Sequence, residues 1–236
     1  MSGMQYMGGK HYLKKKITAA ILAHTNRRGD YHEPFIGGAN MFEEIAPHFK
    51  NLFVSDLHKD LILLYQAVAN GWDPPSEVSR ELYDSLRHDK PSALRGFAGF
   101  GVSFGGIWFS GYAKDHKNQR YAECSRNALL RVKPSLQRAS IQCKSFAQCT
   151  PRSNSVVYCD PPYRGTASYK VDDEFDHDRF WKTMQAWSMF GLDVFVSEYS
   201  APEGWEPIWE TEALVYVKKT SEKRHARTEK LFVWKG

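Results

Sequence analysis

Val156-Val157-Tyr158-Cys159-Asp160-Pro161-Pro162-Tyr163 is an apolar run that stops at an acid, two prolines and an aromatic ring. Two consecutive prolines remove two backbone donors and fix φ at both positions, so the chain can neither continue there as a central strand nor enter a helix. The Asp160 carboxylate and the carbonyls of Asp160 and Pro161 can therefore point outward from a sheet edge, where ligands bind in open α/β folds. Tyr163 adds a ring on which a planar group can stack. A carboxylate and a carbonyl together accept both N–H bonds of an exocyclic amine. They hold its nitrogen and favour the positive charge it gains on attacking a methyl carbon. A rigid strand-to-loop turn without chemistry is the plain alternative.

The residues around this strand alternate between helical and strand patterns. Leu13, Ile17, Ala20, Ile21 and His24 predict a helix over 10–26. Strands are expected at Tyr31–Phe35, Leu52–Ser55, Ile141–Phe146, Leu192–Ser197, Ala213–Val217 and Leu231–Trp234. Helices are expected over 39–47, 58–69, 76–89, 121–132 and 176–190. This order predicts a Rossmann-like α/β sheet, mostly parallel, with helices on both faces. The last two strands would form an antiparallel edge hairpin around a basic loop, Lys218–Lys230.

Two further motifs sit at expected strand or helix ends. In Glu33-Pro34-Phe35-Ile36-Gly37-Gly38-Ala39-Asn40 a strand meets a glycine pair that opens a helix. Glycines let a ligand approach the backbone closely. Asp56 ends the next strand, where an acid can bind two ribose hydroxyls. A turn and a surface acid are the alternative, since the full GxGxxG fingerprint is absent. Tyr6-Met7-Gly8-Gly9-Lys10 resembles a phosphate loop only superficially, because GxxxxGK[ST] is not met.

Composition narrows the function classes. The 236 residues are 42% hydrophobic and 25% charged, which excludes disordered, collagen-like and coiled-coil chains. No apolar run reaches the ~18 residues a membrane span needs, and no apolar h-region marks a secretory signal. The four cysteines form no CxxC pair, so a reduced, cytoplasmic protein is expected. Cys159 reads as a buried strand residue rather than a nucleophile. The nine histidines show no HExxH spacing, so no metal is expected. Asp172, Asp173, Glu174, Asp176 and Asp178 read as a solvated loop running into a helix N-terminus. The net charge is +5, and residues 112–133 and 218–230 each carry six basic against two acidic side chains. Such concentrations suit a polyanion, with solvated loops as the alternative.

Together these motifs resemble the Dam-like (D12 class, α-group) DNA N6-adenine methyltransferases, in particular compact phage-type members. Tyr-x-Gly-Gly-Lys, Glu-Pro-Phe-x-Gly-Gly, Asp56, an insert and Asp-Pro-Pro-Tyr follow in the family's order over nearly the whole chain. The resemblance implies a methyltransferase sheet and transfer of a methyl group from S-adenosyl-L-methionine to the N6 amine of a flipped-out adenine in double-stranded DNA. Tyr6, Lys10, Pro34, Phe35, Gly37, Gly38, Asp56, Phe146 and Asp160 would bind the cofactor, with Asp56 on the ribose and Phe146 against the adenine. Asp160, Pro161, Pro162 and Tyr163 would form the catalytic loop. Residues 1–70 and 135–236 would make the catalytic domain and 71–134 a small recognition insert. Within the insert, Phe97, Phe100 and Phe104 are expected to pack on the core. Tyr112, Lys114, Lys117 and Arg120 are expected to face DNA, together with Lys223, Arg224 and Arg227 of the hairpin loop. A monomer or weak dimer is expected. N4-cytosine methylation, and an inactive DNA-binding relative, are the alternatives.

Overall fold

The computed structural model describes residues 4, 6–113, 120–164, 175–215 and 225–236. In chain order the elements are α1 (Lys14–His24), β1 (Asp30–Glu33), α2 (Asn40–Ile45), β2 (Asn51–Asp56), α3 (Lys59–Ala69), α4 (Arg80–Leu86), α5 (Ala93–Gly96), α6 (Tyr121–Leu136), β3 (Ala139–Cys143), β4 (Val156–Cys159), α7 (His177–Met189), β5 (Asp193–Glu198), β6 (Trp205–Val215) and β7 (His225–Trp234). Among the described residues the strands form one sheet in the order β3-β2-β1-β4-β5-β7-β6. The pairs from β3 to β5 are parallel, and β7 is antiparallel to both β5 and β6. The fold is thus the mostly parallel sheet with an antiparallel edge hairpin that the residue pattern predicts.

The strand order reverses direction between β1 and β4, which pair directly. That is the switch point at which such sheets open a crevice. β4 lies centrally and all four of its residues are fully buried, as a strand covered on both faces requires. Period-two alternation sends its side chains into two cores. Val156 and Tyr158 join Ile17, Ile21, Phe42, Leu61 and Leu64 beneath α1, α2 and α3. Val157 and Cys159 join Phe180 and Met184 of α7 on the opposite face. Cys159 is accordingly a packed side chain, its Sγ 3.4 Å from Met184 Sδ.

Two expectations change, the hairpin bounds and the placement of Phe104. The hairpin strands are longer than their apolar ends suggest: β6 begins at Trp205, and β7 already runs from His225. Half of the expected basic loop is therefore strand. In the segment 71–134, Phe97, Phe100, Val102 and Leu129 join the buried cluster of α1–α3. Phe104, by contrast, is 70% exposed. It heads a short 3₁₀ turn in which Gly105 and Gly106 take φ of 67° and 66°, and this reversal turns its ring away from the core.

Candidate active site

The carboxyl ends of β1, β2, β4 and β5 deliver four acids to one edge of the sheet: Glu33, Asp56, Asp160 and Glu198. Asp160 follows the last residue of β4, and the two prolines turn the chain out, leaving Pro161 buried and Pro162 exposed. Lys10 reaches this point from the loop before α1. Its Nζ donates to Asp160 Oδ1 at 2.7 Å and Oδ2 at 2.9 Å and lies 3.6 Å from Glu229 Oε1. Burial pulls the Lys10 pKa down, but Asp160 and Glu229 outweigh it and hold the group above its ordinary value, as an ammonium. Lys10 also stands 4.6 Å from the Tyr163 ring centroid, a cation–π distance.

Tyr163 is fixed from two sides. Its hydroxyl donates to Glu229 Oε1, and its ring meets Tyr199 edge-on with centroids 4.7 Å apart. Glu198 accepts from Tyr199 N at 2.8 Å and Arg164 N at 3.3 Å, tying the end of β5 to the loop after Tyr163. Burial raises the Glu198 carboxyl to about 7 against the pull of those two N–H groups. Burial likewise raises Glu33 to about 8; the Tyr31 hydroxyl, which donates to it at 2.7 Å, opposes the shift, and Asp160 adds to it. Glu229 is raised too, by burial first, with Lys10 opposing and Asp160 reinforcing.

The other expected cofactor residues line the same edge. Asp56 accepts from Gly37 N at 3.1 Å on one oxygen and from His58 N at 3.0 Å on the other. A carboxylate offers about four lone-pair sites, so this partly buried group, whose pKa burial raises against three backbone N–H groups, retains acceptor capacity for a diol. The glycine pair admits Tyr6: a Cβ on Gly37 would lie 3.0 Å from the Tyr6 ring, and one on Gly38 2.6 Å from Tyr6 Cβ. The close approach expected of a ligand is thus made here by a side chain. Beside it, Asn40 Oδ1 is buried without a hydrogen-bond partner among the described residues, an unused acceptor under the loop. Phe35 and Phe146 stack at 5.7 Å and 28°, with Phe175 and Phe180 edge-on or tilted against them. Pro34 is buried between strand and glycine pair. An acid with spare lone pairs, an orphaned amide oxygen and an apolar aromatic wall match the ribose, amino-acid and adenine parts of S-adenosylmethionine in chemical type.

The expected DNA-facing residues fare differently. Tyr112 donates its hydroxyl to Val78 O at 2.7 Å and packs on Tyr83, so its polar end is committed inside the insert. Arg120 is exposed and pairs with Glu123 at 3.3 Å, a contact of the kind worth well under ~1 kcal/mol at a surface. Lys114, Lys117, Lys223 and Arg224 lie outside the described residues, as do Asp172, Asp173 and Glu174. Arg227 is placed only by its backbone, opposite Ala213 in the hairpin. Asp176 caps α7 by accepting from Arg179 N at 2.9 Å.

Residue patterns missed Glu229, counted only as a charge of the basic loop, and gave Glu198 no role. The signal for Glu229 is period two: Leu231 and Val233 face the core under α1–α3 while Phe232 faces the other core, so buried Glu229 shares the inward face of Leu231 and Val233.

A family profile described as D12 class N6 adenine-specific DNA methyltransferase matches residues 6–94 and 108–222. The chain is similar to a DNA adenine methylase of Vibrio cholerae serotype O1, 25% identical over 68% of this chain and 64% of that protein. It is also similar to a DNA adenine methylase of Salmonella typhi, 26% identical over 78% of this chain and 72% of that one. A Type II methyltransferase, M.CviBI of Paramecium bursaria Chlorella virus NC1A, is 40% identical over 55 residues, 23% of this chain and 19% of that protein. The chain thus spans less than two thirds of the length of the Vibrio relative.

Proposed function

The chain belongs to the D12 class of N6 adenine-specific DNA methyltransferases, and from that membership we propose that it methylates the N6 amine of adenine in double-stranded DNA with S-adenosyl-L-methionine as donor. The observation that carries this reading is the Lys10–Asp160 contact. A nitrogen donor already engages both Asp160 oxygens, at 2.7 and 2.9 Å, and an exocyclic amine would present its two N–H bonds to the same carboxylate and to the neighbouring backbone carbonyl.

In this reading Asp160 and the Pro161 carbonyl hold the amine nitrogen so that its remaining lobe faces the methyl carbon. The rigid Pro-Pro turn keeps these acceptors in place before the substrate arrives, which is the economical form of electrostatic catalysis. The bound donor supplies an electrophilic methyl group on a sulfonium. Asp160 favours the positive charge that develops on the amine. Tyr163, braced by Tyr199, offers a face for the extruded base, whose removal from the stack costs a few kcal/mol. Asp56 would hold the ribose hydroxyls, Asn40 and the Gly37-Gly38 loop the amino-acid part, and Phe35 and Phe146 the apolar edge of the adenine. Arg120 and the basic residues of 114–117 and 223–227 would meet phosphates, and Phe104 would meet bases.

Two variants separate the roles. Asp160→Asn keeps the side-chain volume and removes the charged acceptor. Single-turnover methylation should fall by about 100-fold or more, while DNA affinity stays near wild type. Asp56→Ala should weaken cofactor binding, measured by calorimetry, more than DNA binding. Near-normal turnover in the first variant, or the reverse order of losses in the second, contradicts these assignments.

A further inference from the structure

We propose that Glu229 is a positioning residue of this site, drawing the Lys10 ammonium off Asp160 as the target amine docks and holding the Tyr163 ring by its hydroxyl. The proposal rests on the reading of Asp160 as the acceptor of that amine. It adds a residue outside the stretches 6–94 and 108–222 that match the family.

Both Asp160 oxygens are occupied by Lys10 in the free protein. An amine that needs the same oxygens must displace the ammonium. Lys10 is only 8% exposed, and a buried ammonium without a partner is strongly disfavoured. Displacement therefore requires a second acid close by. Among the described residues the other carboxylate within ion-pair distance of Lys10 Nζ is Glu229, at 3.6 Å. That separation exceeds hydrogen-bond length by somewhat less than ~1 Å. The flexible four-carbon stem of lysine, with three donors that rotate freely, spans such a gap by small torsional changes. Lys10 can then pass from Asp160 to Glu229 without leaving the protein, and the positive charge stays in the pocket.

Glu229 is prepared for this by its own setting. It is 4% exposed and stands opposite Thr211 in the hairpin, one residue before Lys230, which pairs with Glu198 at the end of β5. The antiparallel edge thus brings an acid to the mouth that the parallel strands open. The same Oε1 that faces Lys10 accepts the Tyr163 hydroxyl. One carboxylate oxygen therefore fixes both the ring that receives the base and the cation that guards the acceptor. Neither Glu33 nor Glu198 pairs with Lys10 among the described contacts, where Asp160 and Glu229 are its acid neighbours. Glu33 turns inward to accept the Tyr31 hydroxyl, and Glu198 accepts two backbone N–H groups at the end of β5.

The test compares full-length wild type, Glu229→Gln and Glu229→Asp on unmethylated duplex DNA. Glutamine keeps an acceptor for Tyr163 but no charge for Lys10. The expected result is a single-turnover methylation rate reduced about tenfold or more in Glu229→Gln. S-adenosylmethionine and DNA affinities should stay within about twofold of wild type on the same criterion, and Glu229→Asp should recover part of the rate. The proposal is overturned by a wild-type rate in Glu229→Gln, by cofactor affinity falling in step with the rate, or by Glu229→Asp being no faster than Glu229→Gln. Should Glu229→Gln not fold, Glu229→Asp decides alone: a lowered rate with cofactor affinity kept supports the proposal, and a wild-type rate overturns it. A wild-type enzyme that binds the cofactor but labels no DNA would instead sink the functional reading on which the proposal stands.

Discussion

Glu33 ends β1 with its carboxyl inside the protein, bonded to the Tyr31 hydroxyl and raised to about 8 by burial. In the unfolded chain the same group titrates near its ordinary value of 4.5. Between these values the folded state binds the extra proton, so stability is greatest at the acid end of the window and declines as pH rises toward 8. Glu33→Gln removes that dependence. Thermal melts from pH 5 to 9 should show the wild type losing stability relative to Glu33→Gln as pH increases; parallel profiles would mean that Glu33 carries its charge in the folded state. At this scale the residue pattern was most legible where several constraints met. Asp160 was found because an apolar strand, two prolines and an aromatic flank it. Glu229 was hidden because its neighbours are charged and its inward orientation depends on a strand that the polar composition disguises.

The elements repeat that contrast. β2, β4 and β5 are short, largely apolar runs that end at or just before an acid, and their positions follow from composition, whereas β1 is polar in three of its four residues. β6 starts at Trp205, but Pro207 and the register shift between Pro207 and Trp209 interrupt the alternation that marks a strand. Proline is tolerated there because β6 is the edge of the sheet. The insert follows no simple period either. Phe97–Gly101 is a π-helical turn, packed so tightly that a Cβ on Gly99 would lie 2.2 Å from the Trp108 ring. Phe97 and Phe100 disappear into the core, while Phe104, four residues on, stands out on its glycine turn. That turn is tied to the loop leading to Lys10 through Met7 N and Gly106 O, 3.3 Å apart. Phe104→Ala should therefore change stability by no more than about 0.5 kcal/mol while lowering DNA affinity, as read by melting and by fluorescence anisotropy. A loss of about 3–5 kcal/mol, typical of a buried phenylalanine, would return Phe104 to the core.

For the whole molecule, the topology places the chemistry. The order reversal between β1 and β4 opens the crevice, and the parallel strands deliver Glu33, Asp56, Asp160 and Glu198 to its rim. The antiparallel β7 adds Glu229, and the loop before α1 brings Lys10 across to meet them. In the sequence, basic residues concentrate in the stretches 112–133 and 218–230. Such an arrangement suits a partner whose backbone is anionic and whose reacting group is a neutral amine. The central claim is tested by incubating the protein with methyl-labelled S-adenosylmethionine and unmethylated duplex DNA, digesting the DNA and identifying the labelled nucleoside. The account predicts label on N6-methyladenine. Label on N4-methylcytosine, or unlabelled DNA from a protein that binds the cofactor, would contradict it.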